Sequence, residues 1–553
     1  MKLLRVHIIS AKTCGGLLDG LDVRLRSQFN DDYSSFDPLC LIGPNGAGKS
    51  QFLQVIAEIF QSVFHVCISK EERGESNPDL QFEIEYFIYP EEDEIPVRIR
   101  ISRQRSSGSR KPPSLLIQRR DEDEYDWIDC DPKAPETHAF LPSKIVGYTS
   151  GDNETLSLPF LVSRSGYADE VAREALNVAT QNKPIPDTRL MLIDYETHLE
   201  VLVANLLLGD VSQREALLKE ARLQDLHSFR CIIQLAHSAA PKAQANIKQQ
   251  TGRKGIQLTE ELEIYIDQLQ QCATCYTYDD KTETYIFDYW INQETRTAFS
   301  SFWRNALDLY SSFHKLAMLN DLALPKGVRD RFKRDKKTRR FASRLPEPPD
   351  EDKVFRFERV MFRKQKTNEE IDDQEVDYVS LSDGEHQMGQ LLGTFCMLSS
   401  PNILFLLDEP ESHFNPQWRV KFISRILDLH TKDGNRRETS KAARQDCLLT
   451  THAPFIPSDM QRDKVFIFSK DEEQKIQIRN PDVETFGATF DTIIEECFDI
   501  SPPISQISRD KIKKLMNSEN PDEIKAGIKS LGNSVQKAFL ADRLRQVTNK
   551  DGV

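Results

Sequence analysis

Long hydrophobic runs are missing from this sequence. No apolar stretch approaches the ~18–20 residues that a membrane-spanning helix needs. The longest one beside a motif, Ile403 to Leu407, has the length of a strand. Near the start, His7, Ser10 and Lys12 interrupt any leader-like segment behind Lys2 and Arg5. Internal repeats and sustained heptads are also missing, which excludes solenoids and long coiled coils. The eleven histidines are dispersed, with no H-x-H or H-E-x-x-H among them. The ten cysteines are scattered, and Cys40, Cys67, Cys396 and Cys447 have apolar neighbours. That usage fits small core residues in a reducing cytoplasm. One C-x-x-C pair exists, Cys272 and Cys275, but no second pair or nearby histidine completes a zinc set. An excess of positive charge is lacking too. The net charge is -14, so the surface as a whole is not built to attract nucleic acid, although a local basic patch could do so.

What is present is a globular composition, 39% hydrophobic and 29% charged, over 553 residues, enough for two or three domains. Residues 1–160 read as strands around one helix. Leu3 to Ser10, Leu21 to Leu25 and Leu39 to Ile42 are strand-like, and a helix starts near Lys49. Strands resume between 79 and 120, with Ser106, Ser107, Gly108, Ser109, Pro112 and Pro113 as breakers, and again at Ile145 to Tyr148. Residues 161–353 read as mainly helical, at Leu199 to Leu208, Gln213 to Leu226, Thr259 to Gln271 and Ala298 to Leu319. A hairpin at Tyr276 to Tyr289 interrupts them. This region ends in Lys326 to Arg344, where ten Lys and Arg stand against two Asp, a net +8. Residues 354–494 alternate strands with motifs, and 495–553 form a charged helical tail.

Four motifs carry chemistry. Gly43-Pro44-Asn45-Gly46-Ala47-Gly48-Lys49-Ser50 matches G-x-x-x-x-G-K-[ST], with a strand before it and a helix after it. Glycines let backbone N–H groups close around phosphate, and the helix N-terminus adds its positive end. Lys49 is placed to reach phosphate oxygens and Ser50 to ligate Mg²⁺. The strand Ile403 to Leu407 ends in Asp408 and Glu409, the first a metal ligand and the second a base for the attacking water. Leu381-Ser382-Asp383-Gly384-Glu385-His386-Gln387 opens a helix through an S-x-x-E capping box. Ser382 and the N–H of Gly384 thus stand at a helix N-terminus. Finally, Leu448 to Thr451 is a strand followed by His452, which suits a γ-phosphate contact.

In this order the four motifs resemble the ATPase heads of the ATP-binding-cassette type, with LSDGE in the place of the signature LSGGQ. Glu411-Ser412-His413-Phe414-Asn415-Pro416 lies where the D-loop belongs. The resemblance implies an α/β head that binds ATP and Mg²⁺ between two copies, with Ser382 and Gly384 acting in trans. Thr149-Ser150-Gly151-Asp152-Asn153-Glu154 stands where a glutamine loop is expected but has no glutamine. Asp383 and Glu385 add carboxylates to the signature, which implies slow hydrolysis. The long insertion and the THAPF segment are more similar to the SMC and OLD-type branch than to transporters. No Toprim acid pattern follows His452.

Over most of its length the chain also resembles the restriction-associated ATPases, among them the PtuA subunits of Septu-type and some retron-type antiphage systems. The resemblance rests on Cys14 to Gly20, Gly147 to Glu154, LSDGEHQ, DEPESHFNP and Phe486 to Asp491. It implies an ATP-gated sensor and scaffold that controls a separate HNH nuclease. The alternative is a DNA-maintenance ATPase that clamps nucleic acid without a nuclease partner. A nuclease within this chain finds no acid cluster beyond Asp408 and Glu409. The +8 segment, with Phe332 and Phe341 interleaved, reads either as a nucleic-acid contact or as a solvated loop.

Overall fold

The computed structural model describes residues 1–553 except 28–33, 75, 91–94, 106–112, 122–125, 151–153, 178–181, 195–196, 220, 238–252, 339–346, 365–374 and 551–553. Several expectations lie outside the described residues: the loop at 106–112, Gly151, Asp152 and Asn153, and Arg339, Arg340, Phe341 and Arg344 of the basic segment. The strands in chain order are β1 (Lys2–Ser10), β2 (Leu21–Arg24), β3 (Leu39–Ile42), β4 (Gln81–Ile88), β5 (Val97–Gln104), β6 (Ser114–Arg120), β7 (Ile128–Cys130), β8 (Lys144–Thr149), β9 (Leu190–Ile193), β10 (Leu223–Gln234), β11 (Cys275–Asp279), β12 (Thr284–Trp290), β13 (Phe355–Lys364), β14 (Glu375–Asp377), β15 (Ile403–Asp408), β16 (Asp446–Thr451), β17 (Val465–Lys470) and β18 (Ile476–Arg479). Among the described residues they make a mixed α/β fold with three sheets.

The seven-stranded sheet runs β18-β17-β3-β16-β15-β8-β9. All its pairings are parallel except that of β18 with β17. A parallel sheet is covered on both faces, so its strands must be apolar throughout. Every residue of β3, β9, β15 and β16 is buried. The helix Lys49–Cys67 packs into the same core through Phe52, Ile56, Ile59, Phe60 and Val63. Register then fixes the site. Thr451 of β16 lies beside Ile42 of β3, and Asp408 of β15 beside Thr149 of β8. The carboxyl ends of these strands therefore open at one edge, where α/β sheets bind ligands.

The six-stranded sheet, β2-β1-β4-β5-β6-β7, is antiparallel. The five-stranded sheet, β11-β12-β10-β13-β14, is also antiparallel. This last sheet alters the reading of 161–353 as mainly helical. The hairpin β11–β12 falls where the sequence suggests it, but β9 returns to the parallel core and β10 is a twelve-residue strand. The helix expected over Gln213 to Leu226 stops at Leu218. Arg222 takes a left-handed φ of 54°, from Leu223 the chain pairs with β13, and from Ser228 it pairs with β12 as well. The expected Ala298 to Leu319 helix is two helices, because Asn305 caps a new one through the N–H of Asp308 at 2.9 Å. Of the basic segment, Lys326–Thr338 is a helix. No helix among the described residues is long and apolar enough to cross a membrane.

Residues Met1–Phe486 form one compact unit and Gly487–Val553 a second. All four motifs lie in the first. The second unit is helical, with Ile512, Leu515 and Leu540 at its centre.

Candidate nucleotide site

The loop after β3 needs its glycines. Gly43, Gly46 and Gly48 have φ of 142°, 75° and 90°, a region that side chains avoid. A Cβ on Gly43 would lie 2.1 Å from the carbonyl oxygen of Phe468 on β17, so no other residue fits. Gly48 caps the helix that begins at Lys49. Within this cradle the Lys49 ammonium donates to the carbonyls of Gly43 (2.9 Å) and Pro44 (3.1 Å). Burial lowers its pKa to about 8, although Glu409 and Asp408 pull it upward. Pro44, Asn45 and Ala47 complete the turn.

Asp408 ends β15 and accepts two hydroxyls on one oxygen, from Ser50 at 2.9 Å and from Thr450 at 2.6 Å. Burial raises its pKa, and those two hydrogen bonds oppose the rise. Ser50 and Asp408 come from segments 358 positions apart, and hydroxyl with carboxylate is the hard-oxygen donor set that Mg²⁺ prefers. Thr450 also accepts the backbone N–H of Glu409 at 3.0 Å. Thr450 thus ties the metal-ligand candidate to the base candidate. Sequence reasoning assigned it no role. The parallel neighbour of an acid-bearing strand, ending in a hydroxyl, was the available signal.

Glu409 holds a left-handed φ of 49°, a strained position for glutamate. Its carboxylate lies 3.2 Å from His452 Nε2. That hydrogen bond is the main cause that holds its pKa below the usual value. The structure therefore brings together Lys49, Ser50, Asp408, Glu409 and His452 at one sheet edge. Among the described residues of the glutamine-loop candidate, Thr149 is paired in register with Asp408.

The signature-like turn is built separately. Ser382 accepts from Glu385 N (3.4 Å), and the Glu385 carboxylate accepts from Ser382 N (2.8 Å) and Oγ (2.9 Å). Of the two carboxylates added to the signature, that of Glu385 is folded back into the capping box that the sequence suggests. Ser382 and Asp383 are exposed, whereas Gly384 is buried, and a Cβ there would meet the His413 carbonyl oxygen at 2.8 Å. Among the described residues, no hydrogen bond joins this turn to residues 43–50 of the same chain.

The segment after Glu409 links the two halves. Gln387 of the signature helix donates to Ser412 Oγ (3.3 Å) and accepts from His413 N (3.1 Å). Glu411 is buried and accepts from Thr451, the residue before His452. Burial pushes its pKa up to about 7. Both contacts escaped the sequence reading, since nothing local marks them.

Residues 286–459 match the family described as "AAA domain, putative AbiEii toxin, Type IV TA system". That stretch holds the signature-like turn, the acidic strand and His452, while the loop at 43–50 lies outside it. No curated protein matches the chain. The family match supports a nucleotide-binding ATPase of the AAA class, for which nucleotide and Mg²⁺ are the expected ligands.

Proposed function

We propose that the chain is an ATPase in which the triphosphate is held by residues 43–50 of one copy and by Ser382 and Gly384 of another. The observation that carries this reading is the convergence of Ser50, Thr450 and Asp408 beside a glycine-rich loop in which Gly43 admits no side chain. Bound Mg·ATP would supply the metal charge and the phosphoryl group. Lys49 and the loop N–H groups neutralise phosphate. Ser50 and Asp408 offer the metal its protein oxygens. Glu409, kept ionised by His452, accepts a proton from water. Among the described residues the exposed Ser382 turn makes no hydrogen bond to residues 43–50 of its own chain, which supports its use in trans.

Within this reading the chain is a sensor and scaffold whose nucleotide state controls a separate HNH-type nuclease in antiphage defence. The likeness of the motif set to restriction-associated ATPases supports that role. Two experiments test it. Lys49→Ala and Ser382→Ala chains are each inactive alone, and mixing them restores one intact composite site with measurable turnover. Absence of recovery at every mixing ratio rejects the shared site. Co-expression with a neighbouring HNH nuclease gives a complex whose DNA cleavage changes with ATP, and cleavage indifferent to ATP rejects the regulatory role.

A further inference from the structure

The five-stranded sheet ends on β11, and among the described residues that edge is open. All five residues of Cys275–Asp279 are exposed, Tyr276 at 51% and Tyr278 at 43%. On the adjoining β12, Trp290 is 51% exposed. An open edge presents unpaired N–H and C=O groups, and folded proteins usually defend it with charge, proline, bulges or shortness. The other described edges follow that rule. β14 has three residues, of which Glu375 and Asp377 are acids, and β7 has three with Asp129 in the middle. β2 carries Asp22 and Arg24, β18 carries Arg479, and β9 is wholly buried. β11 has no lysine, arginine or proline, and its one charge, Asp279, stands at its end. Its pairing with β12 is unbroken from Cys275↔Asp288 to Asp279↔Thr284. Cys-Tyr-Thr-Tyr-Asp is rich in strand-favouring residues.

We propose that β11 pairs antiparallel with β11 of a second copy, about a two-fold axis at Thr277, which joins two five-stranded sheets edge to edge. The strand is self-complementary about that residue. Tyr276 comes opposite the partner's Tyr278, and Tyr278 opposite the partner's Tyr276. Both tyrosines lie on one face of β11, as residues two apart must. It is the face of Tyr285 and Phe287, and Tyr278 already packs on Tyr285 with ring centroids 4.6 Å apart. Pairing extends that aromatic row across the axis. Residues 274–278 carry no formal charge, and Asp279 meets the partner's Cys275, so no like charges stand opposite one another. The nucleotide site belongs to the seven-stranded sheet, so this contact needs no ATP.

The test is the mass of the full chain without nucleotide, by sedimentation velocity across the micromolar range. The wild type sediments as two copies, and Tyr276→Lys/Tyr278→Lys as one. Both positions are exposed, so the variant stays folded and keeps nucleotide binding. Thr277→Cys in a Cys275→Ser background gives a disulfide-linked pair under mild oxidant, since directly opposed Cα atoms of an antiparallel pair lie about 4.5–5.5 Å apart, within the span of a disulfide. The same results in a Lys49→Ala chain separate this contact from the nucleotide-dependent one. A single-copy wild type, an unchanged mass in the lysine variant, or pairing lost with Lys49→Ala overturns the proposal.

Discussion

The seven-stranded and five-stranded sheets solve different problems with the same backbone. In the parallel sheet, β3, β15 and β16 are buried on both faces, and the chain meets solvent just past their carboxyl ends, at Pro44 to Gly46 and at Glu409. Chemistry is confined to those ends, where Gly43, Asp408 and Thr450 emerge. In the antiparallel sheet one face is packed and the other carries Arg230, Asp288 and Arg359, with Arg230 Nε 2.7 Å from Asp288. The first sheet is an enclosed platform that tolerates little change. The second presents surface and edge, and tolerance there is the normal condition.

The sharpest way to break this contrast is at the ends of the parallel strands. Glu409→Gln is expected to bind nucleotide normally but lose about 10²–10⁴-fold in turnover, measured as phosphate release. Undiminished hydrolysis would show that another group is the base. Lys49→Ala is expected to abolish detectable nucleotide binding by calorimetry, because no other ammonium enters the cradle among the described residues. Within the same sheet, Leu406→Ala should cost about 2–5 kcal/mol in denaturant unfolding. On the open face of the other sheet, Arg359→Ala should stay within about 0.5 kcal/mol. Equal costs would void the comparison.

Smaller effects sharpen it. Thr450→Val removes a donor to Asp408 and an acceptor for Glu409 N. Turnover should fall about tenfold, the worth of one or two hydrogen bonds near a charge. The Lys49 shift gives a pH effect. With its folded pKa lowered to about 8 from the ordinary 10.5, the folded chain loses this proton first as pH rises. Nucleotide affinity should weaken above pH 8. Between those values the unfolded chain binds more protons, so the nucleotide-free protein gains stability with pH. Affinity constant from pH 7 to 10 would remove Lys49 from the phosphate.

Local patterns were legible in the sequence because each is one contiguous physical device. The cradle at 43–50, the acids ending β15 and the Ser382–Glu385 box all declare themselves within eight residues. The role of Thr450 was not legible, because it depends on parallel register between strands some forty positions apart. The strand β10 was not legible either, since Gln213 to Leu226 keeps helical apolar spacing. Only the left-handed turn at Arg222 and pairing with β12 and β13 decide the outcome. Asp383 and Glu385 were both read as added carboxylates. The same capping box that locates the turn also disposes of Glu385.

The bond from Ser50 to Asp408 spans 358 positions, and Thr450 closes the cluster later still. During synthesis the cradle leaves the ribosome long before its acidic counterpart exists. At about 5–20 residues per second, some tens of seconds separate them. For that interval β3 lacks both of its parallel neighbours, β16 and β17, and the apolar surface that will become the sheet's centre is exposed to chaperones and to other nascent chains.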